Sequence, residues 1–228
     1  TLNPEPGPLK MTKIQWTDRT WNPVTGCTRI AEGCRNCYAE RLTATRLRHQ
    51  PKYHGLAVMQ SGGPRWTNEV RTHPDELRKP LSWRKPRKVF VCDMSDLFHE
   101  SVPFDFVDQV FVVMALCPHI TFQVLTKRPH IMALYSDHLD DEFDRRKRLS
   151  VAVGSLLDGP WIHADGKRYR PRIEQFINDL YAGEAHELGD REPVEIPWPL
   201  PNVWLGTSIA TQKEADANIP HLLKCPAA

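Results

Sequence analysis

From Lys88 onward, short unbroken apolar runs alternate with stretches in which apolar residues return every three or four positions. The run Val89-Phe90-Val91-Cys92 has the length and continuity of a parallel strand buried on both faces. Behind it, Ser101 predicts an N-cap and Pro103 a first helical turn. Phe106, Val107, Val110, Phe111, Val113, Met114 and Cys117 then follow at helical spacing. Thr121 to Leu125 (TFQVL) predicts the next buried strand, and Pro129 opens a helix through Ile131, Met132 and Leu134. Val203-Trp204-Leu205 predicts a third strand, ending in Gly206-Thr207-Ser208 and followed by a helix from about Gln212 to Leu223.

Strands that alternate with helices build βαβ units with right-handed crossovers, so the expected class is α/β, either an open doubly wound sheet or a barrel. Between the second and third of these strands lies a long segment, 136–201. It holds the mixed charge run SDHLDDEFDRRKRL and one amphipathic stretch (Ile173, Phe176, Ile177, Leu180, Tyr181), and it reads as a surface insertion in a single domain. No internal repeat or low-complexity tract interrupts the pattern.

Composition narrows the class without changing it. A chain of 228 residues, 40% hydrophobic and 25% charged, is in the globular range. The longest apolar run, Val110 to Cys117, falls far short of the roughly 18 residues of a membrane span, so no membrane partner is expected. The start, TLNPEPGPLK, lacks a secretory signal, and Met11 reads as the native start, which makes 1–10 a non-native or upstream extension. The chain stops at Lys224-Cys225-Pro226-Ala227-Ala228, where a further strand is due, so the expectation is a truncated reading frame with 11–228 an incomplete domain.

Charge is unevenly placed: 1–135 holds 19 Lys and Arg against 12 Asp and Glu, and the remainder holds 11 against 16. Arg65 to Lys88 carries eight basic residues against three acidic ones, interleaved with Trp66 and Trp83. Such a stretch suits a phosphate backbone with indoles for base stacking, and equally suits a solvated basic surface.

The six cysteines are not spread as a disulfide framework, which points to a reducing compartment. Three of them, Cys27, Cys34 and Cys37, form a C-x6-C-x2-C motif in which Gly26 and Gly33 supply backbone freedom. Tetrahedral zinc needs a fourth ligand, from Cys92, Cys117, His49 or His54. A [4Fe-4S] cluster on three thiolates leaves one iron open. Both readings stand, beside a metal-free set of reduced cysteines.

Polar residues cluster after the apolar runs, where parallel α/β folds collect their working groups. Asp93, Ser95 and Asp96 follow the first run, Thr126, Lys127 and Arg128 the second, and Thr207 and Ser208 the third. Ser95, Asp96, Thr207 and Ser208 also suit helix caps or turns. Lys127 and Arg128 stand at a helix N-terminus, where a cation opposes the macrodipole, so one of them is expected to bind a carboxylate or phosphate. His99, Glu100 and Asp18 are expected to be structural, Asp18 by accepting backbone hydrogen bonds from the cysteine loop.

The blocks WTDRTWNPVTGC, GCRNCYAERL, VFVCDMSDLFHESVP, TFQVLTKRP and NVWLGTSIATQ resemble the phage Gp37/Gp68 family (DUF5131), a three-cysteine family itself similar to radical S-adenosylmethionine (SAM) enzymes. Family members continue with a Glu-Pro-Leu-Leu-Gly strand that this chain lacks. The resemblance implies a partial, TIM-like (βα) barrel of radical SAM type with the cluster in the loop after the first strand. Cys27, Cys34 and Cys37 then hold three irons, and SAM chelates the fourth. One electron from a reductant protein cleaves the sulfonium to a 5′-deoxyadenosyl radical. Tyr38, directly after the last cysteine, matches an aromatic ring that lies near the nucleotide in those enzymes. Asp93, Ser95, Asp96, Lys127, Arg128 and Ser208 complete the expected cofactor site.

The expected function is a radical SAM-like iron-sulfur protein of the bacterial host cytosol, acting on a nucleic acid or nucleotide, with a neighbouring-gene product as a further candidate partner. The competing class is a zinc- or cluster-stabilised nucleic-acid-binding protein without a reaction.

Overall fold

A computed structural model describes residues 14–157 and 197–226. Its frame is a four-stranded parallel sheet of β1 (Arg19–Trp21), β6 (Arg87–Val91), β7 (Ile120–Thr126) and β8 (Val203–Thr207), in the order β1-β6-β7-β8. Spatial order follows chain order, as it does when successive crossovers wind the same way. A doubly wound sheet would reverse at a switch point. The winding is thus the one a barrel uses, but among the described residues β1 and β8 are both sheet edges and no closed barrel forms.

The predicted strands are present, shifted by one or two residues at their ends. Val89, Val91, Phe122, Val124 and Val203 are buried in one core with α3 (Phe104–Ala115) and α4 (Pro129–Asp140). Helix α3 contributes Val107, Val110, Phe111 and Met114, none more than 2% exposed. Its predicted N-cap is corrected: Pro103 occupies that position with no side-chain cap, while the Ser101 amide donates to His99 Nδ1.

The predicted surface insertion is also corrected over its first part. Residues 136–157 are the end of α4 and all of α5 (Glu142–Leu157), which packs on α3 through Leu149, Ala152, Val153 and Leu156. Arg148 grips the buried Asp108 of α3 through its Nε and Nη2, and Tyr135 donates to the same carboxylate. Most charges of the run face outward, but Arg145 is buried with its guanidinium on Leu139 O, and Phe143 is exposed, so the buried stripe begins at Leu149. The stretch Ile173 to Tyr181 and the extension 1–10 lie outside the described residues.

A smaller lobe sits over the carboxyl ends of the parallel strands. It holds β2 (Val24–Thr25) paired with β5 (Arg71–Thr72), the hairpin β3 (Ala57–Gln60) and β4 (Gly63–Trp66), helix α1 (Tyr38–Ala44) and the single turn α2 (Arg78–Leu81). Trp66 is buried there with Ala39, Leu56 and Met94, and Trp83 is half-buried with the Arg19 and Arg87 guanidiniums over its ring at 4.8 and 5.5 Å. Trp66 is therefore not free for base stacking, and the Trp83 ring is already engaged by cations of its own chain. Arg84, Lys85, Arg87 and Lys88 lead into β6, at the opposite end of the sheet from the small lobe. No described helix is long and apolar enough to cross a membrane.

Candidate functional site

The cysteine loop begins where β2 ends. Gly26 takes a φ of +84° and bridges Ser95 in parallel fashion, while the Ser95 hydroxyl donates to Val24 O at 2.8 Å. A 3-10 turn, Glu32–Asn36, then carries Cys34, and Cys37 forms the N-cap of α1. Cys34 is buried, Cys27 and Cys37 are half-buried, and all six cysteines of the chain are free.

The three cysteines line one cavity of about 220 Å³ at the carboxyl ends of the strands. Tyr38, Asp93, Ser95, Asp96, Lys127, Arg128 and Ser208 line it too, so the structure brings every sequence-predicted site residue together. Burial pushes the Cys27 thiol up to about 12, with Asp96 adding to the rise and Arg128 opposing it. Among the described residues no group of three or more His, Cys, Asp or Glu side chains is placed to hold a metal ion. Of the four proposed extra zinc ligands, Cys92 lines this cavity, His49 and His54 line another, and Cys117 is buried in the main core.

Asp96 ties the strand ends together. Its carboxylate accepts from Thr126 Oγ1 at 2.7 Å, from the Lys127 amide at 3.0 Å and from the Phe98 amide at 3.0 Å. It also accepts from Arg128 Nη1 at 3.3 Å. The Arg128 side chain is only 1% exposed, so this arginine works inside the protein. Its Nε donates to Glu100 Oε2 at 2.7 Å and its Nη2 to Thr28 Oγ1 at 2.6 Å, and Nη1 stands 3.9 Å from Cys27 Sγ. His99 buttresses Thr28. Its Nδ1 accepts from Ser101, so Nε2 carries the proton and donates to Thr28 Oγ1 at 3.0 Å.

Lys127 differs from its neighbour. It is half-buried at the cavity, its Cε is 3.7 Å from where a Cβ on Gly33 would stand, and among the described residues its ammonium makes no hydrogen bond or ion pair. Thr207 Oγ1 and the Ser208 amide both donate to Thr126 O, at 2.9 and 3.0 Å. Tyr38 is 41% exposed, with its hydroxyl held to Asp93 O at 2.7 Å. Burial raises the Asp93 carboxyl, against a hydrogen bond from Asn22 Nδ2 at 2.6 Å. Asp18 is corrected: it accepts from the Lys88 amide at the far end of the sheet and does not touch the cysteine loop.

Three supporting residues escaped the sequence reading. Arg29, between the first two cysteines, pairs through its guanidinium with the fully buried Glu40 and also donates to Pro64 O at 3.0 Å. Glu40 in turn accepts from the Trp66 amide at 2.7 Å, so the loop, α1 and β4 are locked as one piece. The bond to Glu40 holds Arg29 above the ordinary arginine value, and its attraction to Cys37 and Cys34 adds to this. Glu214 in α6 (Gln212–Leu222) accepts from the Ala210 amide at 2.7 Å and, more weakly, from the Gly33 amide at 3.4 Å. Thr211 caps the helix by accepting from the Glu214 amide, while the Glu214 carboxylate reaches back past the cap to Ala210 and docks the cysteine loop there through Gly33. The Thr-x-x-Glu signature was readable in the sequence, whereas nothing periodic marks Arg29 and Glu40.

A family model described as "Protein of unknown function (DUF5131)" matches residues 11–228. No curated protein and no solved structure matches the chain. The chain belongs to the DUF5131 family.

Proposed function

We propose that this DUF5131 protein is a radical SAM-like iron-sulfur protein of the phage Gp37/Gp68 type, binding a [4Fe-4S] cluster through Cys27, Cys34 and Cys37. The observation that carries the reading is the single cavity at the strand ends, lined by all three cysteines and by every other predicted site residue. The donor set fits such a group. Three thiols line one cavity, and Arg128 and Arg29 supply positive charge beside Cys27 and beside Cys34 and Cys37. A cluster held by three thiolates supplies an open iron for SAM and a low-potential electron for cleavage of its sulfonium.

The chain's own residues then divide the work. Lys127, whose ammonium makes no hydrogen bond or ion pair among the described residues although its charge is felt by Glu214, binds the carboxylate or a phosphate of the ligand, a role the internally saturated Arg128 does not fill. The Tyr38 ring stands at the cavity with its hydroxyl tethered, presenting a fixed face to a nucleoside. Asp96, Ser95 and Thr207 hold the strand ends in register. At about 220 Å³ the cavity is below the usual 300–1,000 Å³ of ligand sites, so a nucleotide-sized ligand extends through its mouth. The substrate class, nucleic acid or nucleotide, rests on the Tyr38 ring and the Lys127 ammonium at the cavity, since the cations around Arg84 and Lys85 lie at the opposite end of the sheet.

The test is anaerobic reconstitution followed by electron paramagnetic resonance with and without SAM. The proposal expects a cluster signal that changes on SAM addition and 5′-deoxyadenosine release on reduction. Stoichiometric zinc with no response to SAM would establish the competing nucleic-acid-binding reading instead.

A further inference from the structure

We propose that Arg128 is a positioning residue that sets the reduction potential of the cluster, acting as a buried cation whose N–H points at the Cys27 sulfur. The inference rests on the cluster assignment above and assigns one of this chain's residues a role toward that group.

A guanidinium has five N–H donors, and here each has an acceptor. Nε meets Glu100 Oε2 at 2.7 Å. The Nη1 donors meet Asp96 Oδ2 at 3.3 Å and Cys27 Sγ at 3.9 Å. The Nη2 donors meet Thr28 Oγ1 at 2.6 Å and Thr28 O at 3.5 Å. The fork cannot rotate away from the sulfur without breaking the other four contacts. Its location is otherwise unfavourable. A cation at the N-cap of α4 opposes the helix dipole, and a buried charge carries a desolvation cost. Asp96 and Glu100 offset that cost unequally. Asp96 divides its charge among four donors, while Glu100 is 52% exposed and screened by water.

The consequence is electrostatic. Three thiolates on a doubly positive cubane give an overall charge of −1, and reduction makes it −2. A nearby cation and an N–H···S bond favour the more negative state and raise the potential. Removing the cation favours the oxidised state, and removing a carboxylate that partly neutralises the cation favours the reduced one.

The experiment is a potentiometric titration of the reconstituted wild type, Arg128→Gln, Arg128→Lys and Glu100→Gln, with iron and sulfide measured on each sample. Arg128→Gln is expected to lower the reduced-to-oxidised ratio at a set potential about tenfold, which for one electron is ~59 mV. Arg128→Lys falls between it and the wild type, and Glu100→Gln moves the potential in the opposite, positive direction. A purely structural arginine would not give shifts of opposite sign. Loaded variants that keep the wild-type potential, or that shift the same way, overturn the inference and leave the cluster assignment standing. If Arg128→Gln fails to load, Glu100→Gln decides, with a positive shift supporting the role and no shift refuting it. A wild type without iron and sulfide overturns the assignment and the inference together.

Discussion

Replacing Gly26 by alanine places a methyl group in occupied space directly before the first cysteine. The φ of +84° lies in the left-handed region, which costs a residue with a Cβ about 1–2 kcal/mol. The new Cβ would stand 2.1 Å from Glu69 O, 3.2 Å from its carbonyl carbon and 3.3 Å from Val70 Cα. All three are backbone atoms, so no side-chain rotation relieves the contact, and the two segments must separate by roughly 1 Å. Overpacking of this kind costs about 1–3 kcal/mol, giving roughly 2–5 kcal/mol in all. That is a large share of the 5–15 kcal/mol typical of a folded protein. Gly63→Ala is the control, because Gly63 has a φ of +99° but nothing within 4 Å of its Cβ position. It should lose only the backbone part, about 1–2 kcal/mol. Urea denaturation of both variants at an unchanged slope measures the difference directly. If Gly26→Ala is no less stable than Gly63→Ala, the close packing of the cysteine loop on the Glu69 backbone is refuted.

Arg29→Met leaves the buried Glu40 carboxylate without its cation and is expected to cost about 3–5 kcal/mol by urea denaturation, most of it recovered in the double variant with Glu40→Gln. Glu214→Ala removes the tie from α6 to Gly33, so amide hydrogen exchange over 31–37 should accelerate while exchange in β6 and β7 is unchanged. Burial, with the Lys52 charge adding, holds His73 below its ordinary value of 6.5. The unfolded chain therefore binds more protons than the folded one just below that pH, and stability falls as the pH drops through 6.5 toward the lowered folded value. Denaturation midpoints at pH 7.5 and 5.5 should differ less in His73→Gln than in the wild type.

The alternation of strands and helices is legible because short apolar runs stand apart from helix-period stretches; one face, with Val89, Val91, Phe122 and Val124, is buried, whereas Phe90 on the other is half-buried and Trp204 is 50% exposed, so the expectation of burial on both faces is corrected. Helix α5 is not legible, because its first half is a run of charges, two of which, Arg145 and Arg148, turn inward through contacts with Leu139 O and Asp108, and only Leu149, Ala152, Val153 and Leu156 of its second half form an apolar stripe. The small lobe is hidden for another reason: strands of two to four residues carry no measurable period. For the site, cysteine spacing and the polar strand ends located the right residues. Their division of labour is tertiary information. Whether Arg128 or Lys127 faces a ligand depends on Asp96, Glu100 and Thr28, which lie 28 to 100 residues from Arg128 and capture its guanidinium. The pairing of Arg29 with Glu40 spans eleven residues and belongs to no motif.

The cluster assignment is tested most directly by iron and acid-labile sulfide analysis of protein purified without oxygen, with Cys34→Ala in parallel. About four irons and four sulfides per chain in the wild type, with most of both lost in Cys34→Ala, is the outcome the account requires. A wild type free of sulfide, or a Cys34→Ala variant that retains the full complement, contradicts it.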